Sequence, residues 1–476
     1  MKSFIKILVL CLFFLTACSK ETNSIIIDPV EKNLTIFITN DIHGSIDNFA
    51  KVKYLVDEEK KKTNVLLTNA GDIFSGNPIV DNYPEKGFPI IDLMNRVGYD
   101  ISVIGNHEFD YGETNLKDRM QQANFKWVCA NVETSASVIP QPSAFTNITI
   151  DDIKVSFLGL VETDGKENDI IPSTHPWRVK NLTFQNPEDV VNQYKDLKAE
   201  ENADLYIALT HIGHSKQYSL GDFQLATQFP YFDLIIGGHS NGKIDTVVNK
   251  IPVFQAGNNL DYIGKIELTI EDKKVININY QLINLNTVTE EDSDIKKRIN
   301  DYNDAPFFKE VIGSAQVNHN KDQVGNFAAD ALRLQMKVDV AFQNNGGVRS
   351  ILDDGDITKK EIYQILPFNN PMIVYEMTVA EIKNFLIGSG AGFYYAGVIF
   401  ENNNNRIIVK DLNGNTIPDN TTLTVGVNDY VPAVYDLFFP TPKNINPETD
   451  AETVIDYLKH TSSEINYSAS NNFFRY

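Results

Sequence analysis

Cysteine is scarce in this chain: three in 476 residues, at positions 11, 18 and 129. Two of them fall in the first eighteen residues, so the remainder carries Cys129 alone and cannot form an internal disulfide. Basic charge is short as well, with 42 Lys and Arg against 63 Asp and Glu and a net charge of −21. That balance leaves no basic face for a nucleic-acid polymer. A small phosphorylated molecule remains admissible, because metals and one or two arginines can neutralise it locally. Long apolar runs are missing too; the stretch Ile7–Leu15 is too short for a comfortable transmembrane helix. No internal repeat is present. What remains is a globular composition, 42% hydrophobic, in a chain long enough for two or three domains.

The N-terminus reads as a processing signal over residues 1–18. Lys2 and Lys6 precede the apolar run, and Leu15-Thr16-Ala17-Cys18 closes it. This closure resembles a bacterial lipobox, which implies that Cys18 carries lipid and that residues 19–33 are a polar tether. Ser19 follows Cys18 where Asp would retain the protein in the inner membrane. The expected location is therefore the cell envelope, lipid-anchored to the outer membrane, on its periplasmic or surface face.

Residues 34–287 alternate short apolar runs with helical patterns. Strands are expected at Leu34–Thr39, Val65–Asn69, Ile101–Gly105, Trp127–Ala130, Val155–Leu160, Leu205–Thr210 and Leu234–Gly237, and helices at Phe49–Lys62, Pro89–Val97 and Pro187–Asn202. This is an α/β layered domain with helices covering a buried sheet. Val253–Ala256, Gly264–Ile270 and Val275–Leu282 lack intervening helices and read as an antiparallel meander. Residues 288–312 are charged and predict a solvated linker helix. A smaller α+β unit follows over 313–476.

Polar clusters directly follow the strand-like runs. Asp41 and His43 follow the first, Asp72 the second and Asn106 the third; His211, then His239 and Asn241, follow two later ones. Ligands gather at the carboxyl ends of strands in open α/β folds. Carboxylates and imidazoles delivered this way form a hard site for two divalent ions, Zn, Mn or Mg. Two ions sharing Asp72 would sit about 3.5–4 Å apart and clamp a phosphoryl oxygen and the attacking water. His107, beside Asn106, can protonate a leaving oxygen or stabilise phosphoryl charge, with Asp110 three residues on to hold it protonated. His214 has two open readings, ligand-supporting or merely exposed, and His175 reads as structural.

The segments Asp41-Ile42-His43, Gly71-Asp72, Gly105-Asn106-His107-Glu108-Phe109-Asp110, Thr210-His211 and Gly238-His239-Ser240-Asn241 together resemble the calcineurin-like metallophosphoesterase pattern. More narrowly the chain resembles the secreted 5′-nucleotidase family, over residues 34 to about 460. The resemblance implies a layered metallophosphoesterase sandwich followed by a smaller nucleotide-binding domain, and hydrolysis of nucleoside 5′-phosphates. It implies one ion on Asp41, His43, Asp72 and Asn241, another on Asp72, Asn106, His211 and His239, and catalytic assistance from His107 and Asp110. In the second domain it implies substrate contacts by Asn344, Arg349, Phe368, Asn370, Tyr430 and Asp436, with the base stacked between Phe368 and Tyr430. Family members of this kind are expected to close by domain rotation, with 288–310 as the hinge region.

Three departures bear on the substrate. An upstream arginine is absent, so either His319 or Lys321 stands in for it or one phosphate contact is missing. Val434-Tyr435 replaces a glycine pair before Asp436, and Phe393-Tyr394-Tyr395 lies where the family lines its pocket. The same metal site would serve a 2′,3′-cyclic nucleotide, a nucleotide sugar or a sulfur ester, and a surface lipoprotein that only binds nucleosides is the reading of a different class.

Overall fold

Leu34, Ile36 and Ile38 of the strand Lys32–Thr39 enter one apolar cluster while Phe37 enters another, so this strand is buried on both faces. It lies inside a six-stranded sheet ordered 274–284, 262–271, 32–39, 64–69, 101–103 and 126–128. A second six-stranded sheet runs 243–248, 251–256, 234–236, 205–211, 153–161 and 145–150. The computed structural model describes residues 31–476 apart from 167, 216–219 and 404–405. The expected signal, Cys18 and most of the tether lie outside the described residues. Among those residues no helix is long and apolar enough to cross a membrane.

The sheets face each other through Leu34, Ile36, Leu66 and Val103 on one side and Phe157, Ile207, Leu209 and Ile236 on the other. Helices Phe49–Lys60 and Phe88–Val97 cover the outer face of the first sheet, and Asp222–Gln228 that of the second. Within the first sheet 32–39, 64–69, 101–103 and 126–128 are mutually parallel; in the second 153–161, 205–211, 234–236 and 251–256 are. Their carboxyl ends converge on one rim.

The meander is corrected. Residues 251–256 sit in the second sheet, parallel to 234–236, whereas 262–271 and 274–284 form an antiparallel hairpin at the edge of the first. The pattern Pro187–Asn202 is also broken, into Pro187–Val191, a 3-10 turn and Leu197–Glu200. The linker helix Ser293–Asn303 has a charged outer face, but it buries Ile295, Ile299 and Tyr302. Arg298 Nε and the Tyr302 hydroxyl both bond Asp92, at 2.9 and 2.8 Å. It is clamped to the first domain.

The second domain holds a six-stranded sheet ordered 444–449, 371–378, 422–428, 340–344, 392–396 and 473–475. Val340 and Phe342 face helix Val379–Ser389, and Ala341 faces helix Lys321–Met336, the period-2 alternation of a sheet covered on both sides.

Candidate active site

The rim of parallel strand ends brings all seven expected metal ligands together. His211 Nε2 lies 3.0 Å from Asp72 Oδ2 and 3.1 Å from Asn106 Oδ1, and His239 Nδ1 lies 2.9 Å from Asn106 Oδ1. Asp41 Oδ1 accepts the His239 backbone N–H at 3.1 Å and is 3.9 Å from His43 Nε2. Asn241 lines the cavity with His43 and Asp72. Two groups have ligand atoms close enough to share an ion: His43, Asp72 and His107, and Asp72, His211 and His239.

Local backbone explains how short loops deliver so many groups to one point. Asp41, His43, Asp72, His239 and Asn241 all have positive φ, between 48° and 74°. Non-glycine residues in this region are strained, and such strain concentrates at functional sites. Glycines make the approach possible. A Cβ on Gly71 (φ +83°) would meet the His211 ring, and one on Gly238 would meet Ala70 O.

The imidazoles are set for coordination. His43 Nδ1 faces Ser75 O at 3.2 Å, and a ring N–H given to that carbonyl leaves Nε2 with its lone pair. His211 Nδ1 faces Ala70 O at 2.7 Å, and although burial would lower its pKa, Asp72 and Asp41 raise it to about 10. His43 Nε2 is buried without a hydrogen-bond partner. Burial pushes His43 down to about 4 and His239 to about 3, so both rings stay neutral. Burial also pushes Asp41 up to about 7. It opposes ionisation of Asp72 as well, but there His211 and His107 prevail and hold the carboxyl well below the usual range. An orphaned imidazole nitrogen beside two buried carboxylates fits a pair of divalent cations.

His107 and Asp110 form the second chemical unit. Asp110 Oδ2 takes His107 Nδ1 at 2.6 Å and the Ser75 hydroxyl at 2.6 Å; Oδ1 takes the Thr174 hydroxyl at 2.9 Å. Burial would lower the His107 pKa, but Asp110 and Asp72 overcome it and raise it to about 9. Glu108 has a structural part in the same motif. It accepts backbone N–H groups from Asp72 at 3.0 Å, Ile73 at 2.6 Å and Gly105, and so fastens two ligand loops together. Its carboxyl, pushed up to about 7 by burial, is wholly enclosed.

The second domain closes one side of a cavity of about 280 Å³. Asn344, Arg349, Phe368, Asn370 and Tyr430 line it opposite His43, Asp72, His107 and His239. Phe368 stacks on His107, ring centroids 5.8 Å apart and planes 15° apart, and the Arg349 guanidinium lies 5.8 Å from the Phe368 centroid. Asn344 Oδ1 accepts from Asn428 at 3.0 Å. Asp436 does not join them: it is exposed, outside the residues lining the cavity, and 3.4 Å from Lys166. Tyr435 packs against Phe385 and Phe393, which turns the next residue outward.

The other departures resolve by packing. His319 is buried and accepts the Tyr467 N–H at Nε2, so it is structural, whereas Lys321 lines a polar cavity of about 590 Å³ with His43, Asn241 and Arg349. Phe393, Tyr394 and Tyr395 are core residues. His214 packs edge-on to Phe223 and is not among the cavity's lining residues.

Two family models match in tandem: calcineurin-like phosphoesterase over residues 34–242 and 5′-nucleotidase, C-terminal domain, over 305–441. The chain belongs to the 5′-nucleotidase family. Among its relatives is the trifunctional nucleotide phosphoesterase protein YfkN of Bacillus subtilis, 29% identical over 84% of this chain. The chain spans only 32% of that protein's length. Protein UshA of Yersinia enterocolitica is 27% identical, with 90% of this chain and 91% of its own covered. A 5′-nucleotidase precursor from Thermus thermophilus shares the fold, at TM-score 0.77 and 22% identity, over 90% of this chain and 96% of that one.

Sequence reading missed the segment Ser173–Arg178 and read its His175 as structural. Ser173, Thr174, His175 and Arg178 all line the cavity. Their one signal is placement in the connection that leaves the rim after strand Ile153–Val161.

Proposed function

We propose that the protein hydrolyses nucleoside 5′-phosphates to nucleoside and phosphate. The observation that carries this reading is one cavity lined by five of the seven candidate ligands (His43, Asp72, Asn106, His239 and Asn241), the His107–Asp110 pair and, from the second domain, Phe368, Tyr430, Asn344 and Arg349. Asp41, His43, Asp72, Asn106, His211, His239 and Asn241 would hold two divalent cations, with Asp72 shared. When bound, they supply Lewis acidity to the phosphoryl group and the attacking water. Arg349 offers a planar fork to the phosphate. Phe368 and Tyr430 offer faces to a base, each stacking contact worth about 1–3 kcal/mol. His107, held through Nδ1 by Asp110, presents Nε2 to the leaving oxygen and gives it the proton.

The test is phosphate release by a soluble form beginning at Ser19, with Mn²⁺, on AMP, a 2′,3′-cyclic nucleotide, UDP-glucose and an aryl phosphate. AMP should lead, and Phe368→Ala should raise its KM about tenfold or more while changing aryl phosphate KM little. Equal wild-type turnover of AMP and the aryl phosphate would remove the nucleotide assignment. The Lys321-lined polar cavity favours a second reading, in which a group beyond the scissile phosphate is accommodated, as in a nucleotide sugar. UDP-glucose outrunning AMP would support it.

The lipid anchor belongs to the same proposal and rests on Lys2, Lys6, Ile7–Leu15 and Cys18. Cells making the full chain should incorporate a fatty-acid label and hold the protein in the membrane fraction. Cys18→Ser should lose the label; a labelled variant would refute anchoring at that residue.

A further inference from the structure

The segment Ser173–Arg178 belongs to the first domain yet reaches a ligand candidate, Asp110 and the aromatic walls of the second domain. Its near end is pinned beneath the ligands: Glu162 accepts the Ser173 N–H, and Asn106 Nδ2 donates to Ser173 O at 3.0 Å. Thr174 gives its hydroxyl to Asp110 Oδ1. His175, buried, faces the second domain, with Nε2 3.1 Å from Asp429 Oδ1 and its ring edge-on to Tyr430 at 6.0 Å. Arg178 then divides its guanidinium. NH1 donates to the Asp110 carbonyl, while NH2 donates to Phe368 O and to Asn370 Oδ1, both at 3.1 Å.

We propose that Arg178 is a positioning residue that registers the Phe368–Asn370 wall against the His107–Asp110 pair, and so makes turnover of a nucleotide depend on this interdomain fork. The proposal rests on the nucleotide reading above. Toward the second domain one terminal nitrogen, NH2, serves two acceptors, and the rigid plane of the guanidinium fixes direction as well as distance. What it fixes matters because Phe368 already stacks on His107. A small shift of that wall moves the base face relative to the proton donor, and misplacement of about 1 Å can cost about 10²-fold in rate. A small aryl phosphate makes little use of the wall and depends on it less.

The experiment compares kcat/KM for AMP and for p-nitrophenyl phosphate in wild type, Arg178→Met, Arg178→Lys and Asn370→Leu, each checked for an unchanged melting profile. Arg178→Met should lower the AMP value about a hundredfold and the ratio of AMP to aryl phosphate at least about tenfold. Arg178→Lys, which keeps charge without the fork, should recover only part of that ratio. Asn370→Leu also removes a residue that lines the cavity, so it is read in a cycle with Arg178→Lys. Adding Arg178→Lys to Asn370→Leu should lower the ratio little further, and independent losses would overturn the proposal. This pair keeps the test decisive if Arg178→Met misfolds. In a cycle with Phe368→Ala, the Arg178→Met effect on the ratio should largely vanish. Parallel losses on both substrates, or full effects in the Phe368→Ala background, would overturn the proposal. A wild type without AMP preference would instead overturn the nucleotide reading.

Discussion

His107→Ala should lower kcat by about 10²–10⁴-fold, equivalent to about 3–5 kcal/mol of transition-state stabilisation, and leave the fold intact. The ring is held by one hydrogen bond to Asp110, and its other nitrogen lies toward the cavity, 4.0 Å from Asp72 Oδ2. The loss should be greatest for substrates with poor leaving groups, because an alkoxide such as a ribose oxygen needs a proton and a nitrophenolate needs almost none. Steady-state kinetics on AMP and p-nitrophenyl phosphate give the contrast directly. A variant equally impaired on both would mean that the ring stabilises phosphoryl charge and does not deliver the proton.

Removing divalent cations should be more severe. Exhaustive chelation should cost on the order of 10³-fold or more in activity, and re-addition of Mn²⁺ or Zn²⁺ should restore it. Stability should fall with activity, because Asp41 and Asp72 are buried side by side and a cation binding only the folded state adds about 2.7 kcal/mol at a hundredfold excess over Kd. For a domain of this size that is a melting shift of about 5–10 °C. Asp72→Asn is the matching variant. Asparagine tolerates the φ of +55° at this position, so the loop survives while the shared anionic ligand is lost. Metal should then give little melting shift. Full activity after metal analysis confirms complete removal would sink the dimetal reading.

The site was legible wherever chemistry sits immediately after an apolar run. Asp41, His43, Asp72, Asn106, His239 and Asn241 each follow a strand within a few residues, His211 ends one, and parallel packing of strands sends all such ends to one rim. Which sheet a strand joins was not legible: Val253–Phe254 is apolar enough for either sheet, and its parallel pairing with Ile235–Ile236 decides it. Arg178 and Thr174 left no local pattern, since their partners lie 64 to 192 residues away in sequence. Asp436 stands apart from the cavity for a different reason. Its neighbour Tyr435 found a place in the aromatic core, and core packing set the direction of the chain.

The five ligand residues held at positive φ carry a cost in stability. Each costs up to about 1 kcal/mol relative to a relaxed loop, less for Asp and Asn, whose short side chains bond locally in this region. Their joint occupation by Asp, His and Asn, with no disulfide among the described residues to offset the strain, concentrates backbone strain at the groups that would hold the cations.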